Sequence, residues 1–332
     1  MNALGHRHGR QRGAALLTAM VIVTLVATLA SAIIWQQWRA IQVEAAERAR
    51  VQARWVLIGA IDWARLILRE DARTGGPDHL AEPWAVPLAE ARLSTFLAAD
   101  RDNTAEDDGP DAYLSGAIAD AQSRYNLRNL SFGDDAAAEV EQRILARLLD
   151  TIGANPALAA TVAAELRRAL PSGAAAAAAS AAGDGNVIVT ADPQAAIAPA
   201  RLEQLTWCGL DAETLRRLAP YVVWLPTKTT VNLNTASREV IAATIEGIDL
   251  ASADRLVQAR QRTPFRSLQD ARSLLPAQTE LDAARVGVSS AYFEVSGRLR
   301  LDERVVEQHA WLVRRGLDVQ VFAMEQRNAV TP

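Results

Sequence analysis

Hydrophobic and polar positions fall along this chain in blocks of different period. Ala14 to Trp35 is an uncharged run of 22 residues, long enough to cross a bilayer as a helix. From Gln36 to about Arg69 there is no proline and one glycine, Gly59. Leu57, Ile61, Ala64 and Leu68 recur there at steps of four, three and four, with Trp55 and Ile58 widening the stripe. That period predicts one long helix that leaves the bilayer and lays an apolar face on a folded domain. It is predicted to stop before Thr74-Gly75-Gly76-Pro77.

The next block, to about residue 130, reads as loop followed by strands, with two short strands and a turn near Asp120 predicted within Tyr113–Leu127. From Asp134 the period becomes helical. Val140, Ile144, Leu145 and Leu148 form one stripe behind the acidic pair Asp134-Asp135. A second helix is expected from Asn155-Pro156 to Leu170, then a nearly pure alanine run, 174–182, and Gly183-Asp184-Gly185-Asn186. Further helices are expected over 200–205, 211–218, 237–245, 250–262 and 267–275. Strict alternation returns in Phe293, Val295, Gly297, Leu299 and Leu301, with strands also expected over 305–314 and 317–324 about the turn Arg315-Gly316. Strands on both sides of a helical block predict an α+β fold with an all-α domain inserted into a strand-rich one.

Composition narrows the function classes. Half of the 332 residues are hydrophobic and the formal net charge is −4, a poor starting point for a nucleic-acid binder. The single cysteine, Cys208, cannot form an internal disulfide. No glycine pattern of a phosphate-binding loop surrounds the one lysine, Lys228. His79 and His309 lie in no metal-ligand spacing, and His309 is read as an ordinary strand residue. No constellation for catalysis emerges, so the chain is read as a non-enzyme without a cofactor. Calcium is the one metal entertained, on Asp100, Asp102, Asp107 and Asp108 of an acidic stretch that does not match EF-hand spacing and otherwise reads as a solvated loop.

The leader supplies a sharper signal. Arg10-Gln11-Arg12-Gly13 abuts Ala14-Ala15-Leu16-Leu17-Thr18, so the polar-to-apolar break lies in front of the span. A secretory signal peptide has a shorter apolar core and its cut site at the far end. A basic leader ending in glycine resembles the cleavage site of type IV prepilins. The resemblance implies cutting between Gly13 and Ala14 on the cytoplasmic side by a prepilin peptidase, methylation of the new terminus, and survival of the helix as anchor and assembly stalk. Loss of Arg7, Arg10 and Arg12 with the leader takes the formal charge from −4 to −7. Most pilin-type subunits carry Glu at the fifth mature position, where this chain has Thr18. A membrane-buried charge is costly and kept only where it is used. The subunit type that resembles this chain in lacking it is minor pseudopilin K of type II secretion.

Further segments resemble that family in the same order: AIDWARLILRED at 60–71, DHLAEPWA at 78–85, LSGAIADAQSRYNLRNL at 114–130, LAPYVVWLP at 218–226, VNLNTAS at 231–237, PFRSL at 264–268 and VSSAYFEVSGRLRL at 288–301. One departure is that the alanine run stands where family members often carry an acidic, aromatic stretch. The resemblance implies a type IV pilin-like fold, a long N-terminal helix on an antiparallel sheet. It divides the chain into a leader (1–13), a transmembrane part (14–35), a first pilin-like part (36–132), an inserted helical domain with a low-complexity segment at 174–186 (133–284), and C-terminal pilin-like strands (285–326). It also implies a place at the tip of the pseudopilus, I-type and J-type minor pseudopilins and the major pseudopilin as partners, and a single-pass inner-membrane location with the bulk periplasmic. The rival is a membrane-anchored, competence-type DNA binder, because residues 231–268 resemble a helix-hairpin-helix module about Gly247-Ile248-Asp249. In that rival Arg255, Arg260, Arg262 and Arg266 would meet phosphate, against Glu246 and Asp249 at the hairpin.

Overall fold

In the computed structural model, residues 11–93, 112–170, 197–301 and 304–329 are described. Helix α1 (Gln11–Thr74) carries the apolar run. The chain divides into two units, Met1–Ile58 and Gly59–Pro332. In the first, every residue from Ala14 to Ala45 is exposed. One helix among the described residues is long and apolar enough to cross a membrane, with a mean hydropathy of 2.4 in its best window and none of that window buried. An apolar surface this continuous has no protein partner among the described residues, which fits a single-pass anchor.

The second unit is built on a five-stranded antiparallel sheet in the order β1 (Leu88–Arg92), β2 (Ala112–Asp120), β7 (Tyr292–Leu301), β8 (Arg304–Arg315), β9 (Asp318–Ala329). Ile61, Ala64 and Leu68 of α1 pack with Trp84, Phe293, Val295, Ala310 and Leu312 into the core of this layer. The Trp84 and Phe293 rings meet edge to face, with centroids 5.4 Å apart. Alternation in β7 works as the sequence pattern requires: Phe293, Val295, Gly297 and Leu299 are buried and Arg298 is exposed. Gly116 faces Gly297 across the β2–β7 pair, where a Cβ at Gly116 would stand 2.7 Å from the Ser296 carbonyl oxygen. That close approach admits only glycine.

β2 and β7 are paired from Ala112↔Leu301 to Asp120↔Phe293, although the whole helical block lies between them in sequence. The block holds α2 (Asp135–Thr151), α3 (Leu158–Ala169), α4 (Ala212–Leu218), α5 (Arg238–Thr244), α6 (Leu250–Arg262) and α7 (Leu268–Arg272). Two short parallel pairs fasten it: β3 (Tyr125–Asn126) with β4 (Val222–Val223), and β5 (Val231–Asn232) with β6 (Val286–Gly287). Ile144, Leu145 and Leu148 of α2 share one core with Val162, Leu166, Leu233 and Ile241. Side chains of Asp134, Asp211, Ser237 and Asp249 cap the helices that follow them, each accepting a backbone N–H three residues on. The fold class is thus α+β: a long N-terminal helix, an antiparallel sheet, and a helical domain inserted between neighbouring strands.

Three local differences from the sequence pattern have physical causes. The two strands and the turn at Asp120 expected within Tyr113–Leu127 are present, but unequal: β2 has nine residues and ends at Asp120, whose carboxylate accepts the Gln122 N–H and opens a 3-10 turn, and β3 that follows has two. The helix expected over 200–205 is a 3-10 helix, Leu202–Cys208, closed by Gly209 at φ 95°. Strand β9 runs on to Ala329, past the last strong apolar alternation, because backbone pairing with β8 continues to Val305↔Ala329. The acidic stretch with Asp100, Asp102, Asp107 and Asp108, and the alanine segment 174–186, lie outside the described residues.

Candidate functional site

Two places combine unusual chemistry with the predicted assembly features. The first is the anchor. Thr18 lies in α1, and its hydroxyl donates to the Ala14 carbonyl at 2.8 Å. Thr24, Thr28 and Ser31 do the same to carbonyls three or four residues earlier. Each hydroxyl of the run is therefore satisfied within the helix, and no charge lies between Ala14 and Trp38. Gly13 and Ala14 sit inside the same helix, which begins at Gln11.

The second is a polar junction where stalk, sheet and inserted block meet. Arg314 at the end of β8 ion-pairs with Asp71 of α1 at 2.6 Å and with Asp78 of the following loop at 2.5 Å. It also donates to the Ser290 carbonyl and lies 4.8 Å over the Phe293 ring. Asp78 is buried and accepts the Ser290 N–H at 2.6 Å. Burial pushes its carboxyl upward, against the pull of Ser290 and Arg314. One step deeper, the buried Asp120 carboxylate accepts from the Gln122 N–H, the Asn232 amide, and the Thr235 and Ser290 hydroxyls, at 2.5–3.0 Å. Burial raises its pKa too, opposed by those four donors.

The asparagines of the block act as clamps on backbone. Asn126 accepts the Leu225 N–H and donates to the Thr227 carbonyl; Asn129 holds both the N–H and the carbonyl of Thr229. Asn234 does the same to Phe265, and Asn232 donates to the Asp78 carbonyl as well as to Asp120. The segments VNLNTAS, SRYNLRN and DHLAEPWA are therefore architectural: their polar residues close loops against one another in places water does not reach. Sequence reasoning singled out these segments by resemblance but missed Asp71, Asp78, Glu82, Asp120 and Arg314 as one cluster. The signal lay in polar residues embedded in otherwise apolar segments.

Asp71, Asp78 and Glu82 bring carboxylate oxygens within 4.8 Å of one another, the only such group of candidate metal ligands among the described residues. Arg314 supplies a positive charge at Asp71 and Asp78, while Glu82 accepts from the His79 N–H and the Trp84 indole N–H.

The hairpin does not form a phosphate cradle. Gly247 takes φ 80° as a tight turn requires, but Glu246 beside it faces Arg143 and Arg147 at 3.6 and 3.7 Å. Asp249 caps α6 through Ser252 N–H, and Arg255 donates to the Ser252 hydroxyl. Arg260 is buried with its guanidinium on the Leu233 carbonyl, and burial lowers its pKa to about 10. Arg260 is spent on the domain's own backbone and Arg255 on a neighbouring hydroxyl, and Glu246 and Asp249 stand at the hairpin where phosphate would dock. Cys208 is buried; desolvation, then nearby Glu165, pushes its thiol to about 11, so it packs rather than reacts. His309 stands in β8 with its Nδ1 3.6 Å from Glu294.

Comparison with known proteins agrees with this architecture. Two family models, both described as type II secretion system (T2SS), protein K, match residues 123–227 and 231–289. A type II secretion system protein K from Klebsiella pneumoniae is 30% identical over 337 residues, covering 96% of this chain and 96% of that protein. Another from Pseudomonas aeruginosa is 28% identical over 304 residues, covering 89% of this chain and 86% of its own length. Among solved structures, the crystal structure of the GspK-GspI-GspJ complex from the enterotoxigenic Escherichia coli type 2 secretion system contains a chain with a TM-score of 0.63 and 17% identity. The match covers 86% of this chain and 99% of that one. That likeness shows the shared fold.

Proposed function

The chain belongs to the type II secretion system protein K family and is a minor pseudopilin of that system, and we propose from this premise that it occupies the tip of the pseudopilus. The observation that carries the proposal is the inserted helical block. It leaves the sheet at Asp120 and returns at Tyr292, so it stands at the end of the sheet where the helical segment 59–74 finishes at Asp71–Thr74. A stacked fibre grows by adding like heads along the stalk direction. A block of this size at that end obstructs a further subunit, and the head-to-tail series closes there.

Thr18 fits the same position. A subunit with no neighbour above it has no terminal amine to neutralise, and the hydroxyl is satisfied by its own helix. On this reading a prepilin peptidase cuts between Gly13 and Ala14, the span sits in the inner membrane, and the Gly59–Pro332 unit works in the periplasm. Its role is structural rather than catalytic. The partners are the I-type and J-type minor pseudopilins beside it, as in the solved complex of the similar GspK chain, and the major pseudopilin below.

Co-expression of this chain with I-type and J-type pseudopilins of the same system, followed by purification through a tag on the J-type subunit, tests the reading. The three subunits are expected to co-elute in equal amounts. Recovery of I-type and J-type subunits without this chain contradicts it.

A further inference from the structure

Strand β9 is the last strand of the sheet, and no described strand lies on its outer side. Arg314 turns its N–H to the Ala291 carbonyl beside β7, so the residues alternating with it, Val313 and Trp311, are the ones that face β9. By the same alternation Val319, Val321 and Met324 turn their backbone groups to the open side, and the Val319 carbonyl takes the Arg65 Nε at 2.8 Å. Phe322 is the extra residue at the register break opposite Trp311 and Leu312 and has no partner in β8. A 12-residue edge strand without proline or lysine invites pairing unless something covers it.

Beside that edge lies a groove of about 450 Å³ between the outer face of the sheet and the inserted block. Leu202 and Trp224 of the block and Trp311 and Phe322 of the sheet give it apolar walls, and Phe322 is 39% exposed. The Trp224 ring also carries Arg128, whose guanidinium lies 5.8 Å from its centroid. Asn126 fixes that arginine in place by accepting its N–H at 3.1 Å. The Arg128 Nε is enclosed and donates to nothing, and no acid among the described residues pairs with the guanidinium. A cation withdrawn from water without a counter-charge is costly, and a carboxylate brought to it from outside offsets that cost. Other charges at the groove are balanced. Arg124 holds Glu294 at 2.5 Å, Arg201 and Glu203 carry opposite signs, and Glu325 stands across from His309.

We propose that the β9 edge and this groove bind an extended, acidic segment of another protein. The segment adds a sixth strand to the sheet, places apolar side chains between Trp224, Trp311 and Phe322, and brings a carboxylate to Arg128. Main-chain pairing supplies affinity, while the groove and the arginine select the sequence.

The test uses the full chain in detergent micelles and a fluorescein-labelled, end-capped peptide, Glu-Thr-Val-Thr-Val-Thr-Glu. As a strand this probe puts its valines and both acids on one face in either direction. Fluorescence anisotropy is expected to rise and saturate above the level given by empty micelles. R128A is expected to weaken binding about tenfold or more, the worth of a charge-assisted hydrogen bond. Glutamine in place of both peptide acids is expected to cost the parent chain as much and to cost R128A nothing further. That comparison needs no altered protein and serves if R128A does not fold. The same peptide N-methylated throughout, which cannot pair with a strand edge, is expected not to bind. No saturable binding, equal binding of the acid and glutamine peptides, or an R128A chain that binds as the parent does overturns the proposal. Self-association of the chain that the peptide displaces, or binding seen only after deletion of residues 187–192, assigns the edge to a second copy or to the chain itself and overturns it too.

Discussion

Asp120 provides the most demanding test of how the inserted block is fixed to the sheet. Its carboxylate accepts from four groups: the Gln122 N–H at 2.8 Å, the Asn232 amide at 3.0 Å, the Thr235 hydroxyl at 2.5 Å and the Ser290 hydroxyl at 2.6 Å. The side chain is 2% exposed, so water cannot replace it. Asp120→Ala removes every acceptor and leaves these donors buried. Each orphaned donor costs about 1–3 kcal/mol. Asn232 keeps the Asp78 carbonyl and both hydroxyls can rotate, so the costs do not simply add. A loss of about 3–5 kcal/mol is expected, the worth of two or three orphaned neutral donors. Asp120→Asn restores the shape but turns one oxygen into a donor that faces the Gln122 N–H in one amide orientation and the Asn232, Thr235 and Ser290 donors in the other, and it is expected to recover less than half of that loss. Urea unfolding of the purified chain, with an unchanged slope, reads the difference. Hydrogen exchange should show protection lost first around residues 231–236 and 286–291. A destabilisation below about 1 kcal/mol for Asp120→Ala would refute the claim that this carboxylate holds the junction together.

Other consequences are more local. Gly116→Ala pushes a methyl against the Ser296 carbonyl at 2.7 Å and is expected to cost about 1–3 kcal/mol, measured as a lowered melting temperature. Trp84→Ala empties the core between stalk and sheet and strands Glu82; about 3–5 kcal/mol is expected by chemical unfolding. With its thiol held near 11, Cys208 stays protonated at neutral pH, and a thiol reagent is expected to label it only on addition of denaturant; rapid labelling of the folded chain contradicts its packing. Replacing Gly13 by Leu is expected to leave the leader attached, visible as an unprocessed mass after membrane extraction.

Periodic features were legible in the sequence, and long-range polar pairs were not. The run from Ala14 to Trp35, the stripe Ile61, Ala64 and Leu68, and the alternation Phe293, Val295, Gly297 and Leu299 each repeat at the period of their element, so a local window reveals them. The acidic pair Asp134-Asp135 also marked a helix start within a local window. Asp71 and Arg314 are 243 residues apart, and Asp120 and Ser290 are 170 apart. Nothing in the spacing of such residues marks a shared site. Asp120 read as a turn former, which it is, but its second role as the acceptor at the centre of the junction depends on chain closure. The asparagines of VNLNTAS were visible as part of a resemblance, while their work as clamps on Phe265 and Asp78 needed the fold.

The tip position itself is tested most directly by labelling. Fibres assembled with excess major pseudopilin and this chain, carrying an epitope in the exposed loop at Gly153, can be decorated with gold-tagged antibody and imaged. The account predicts gold at one end of each fibre and no rise in its number as fibres lengthen. Gold distributed along the shaft, in proportion to length, would contradict it.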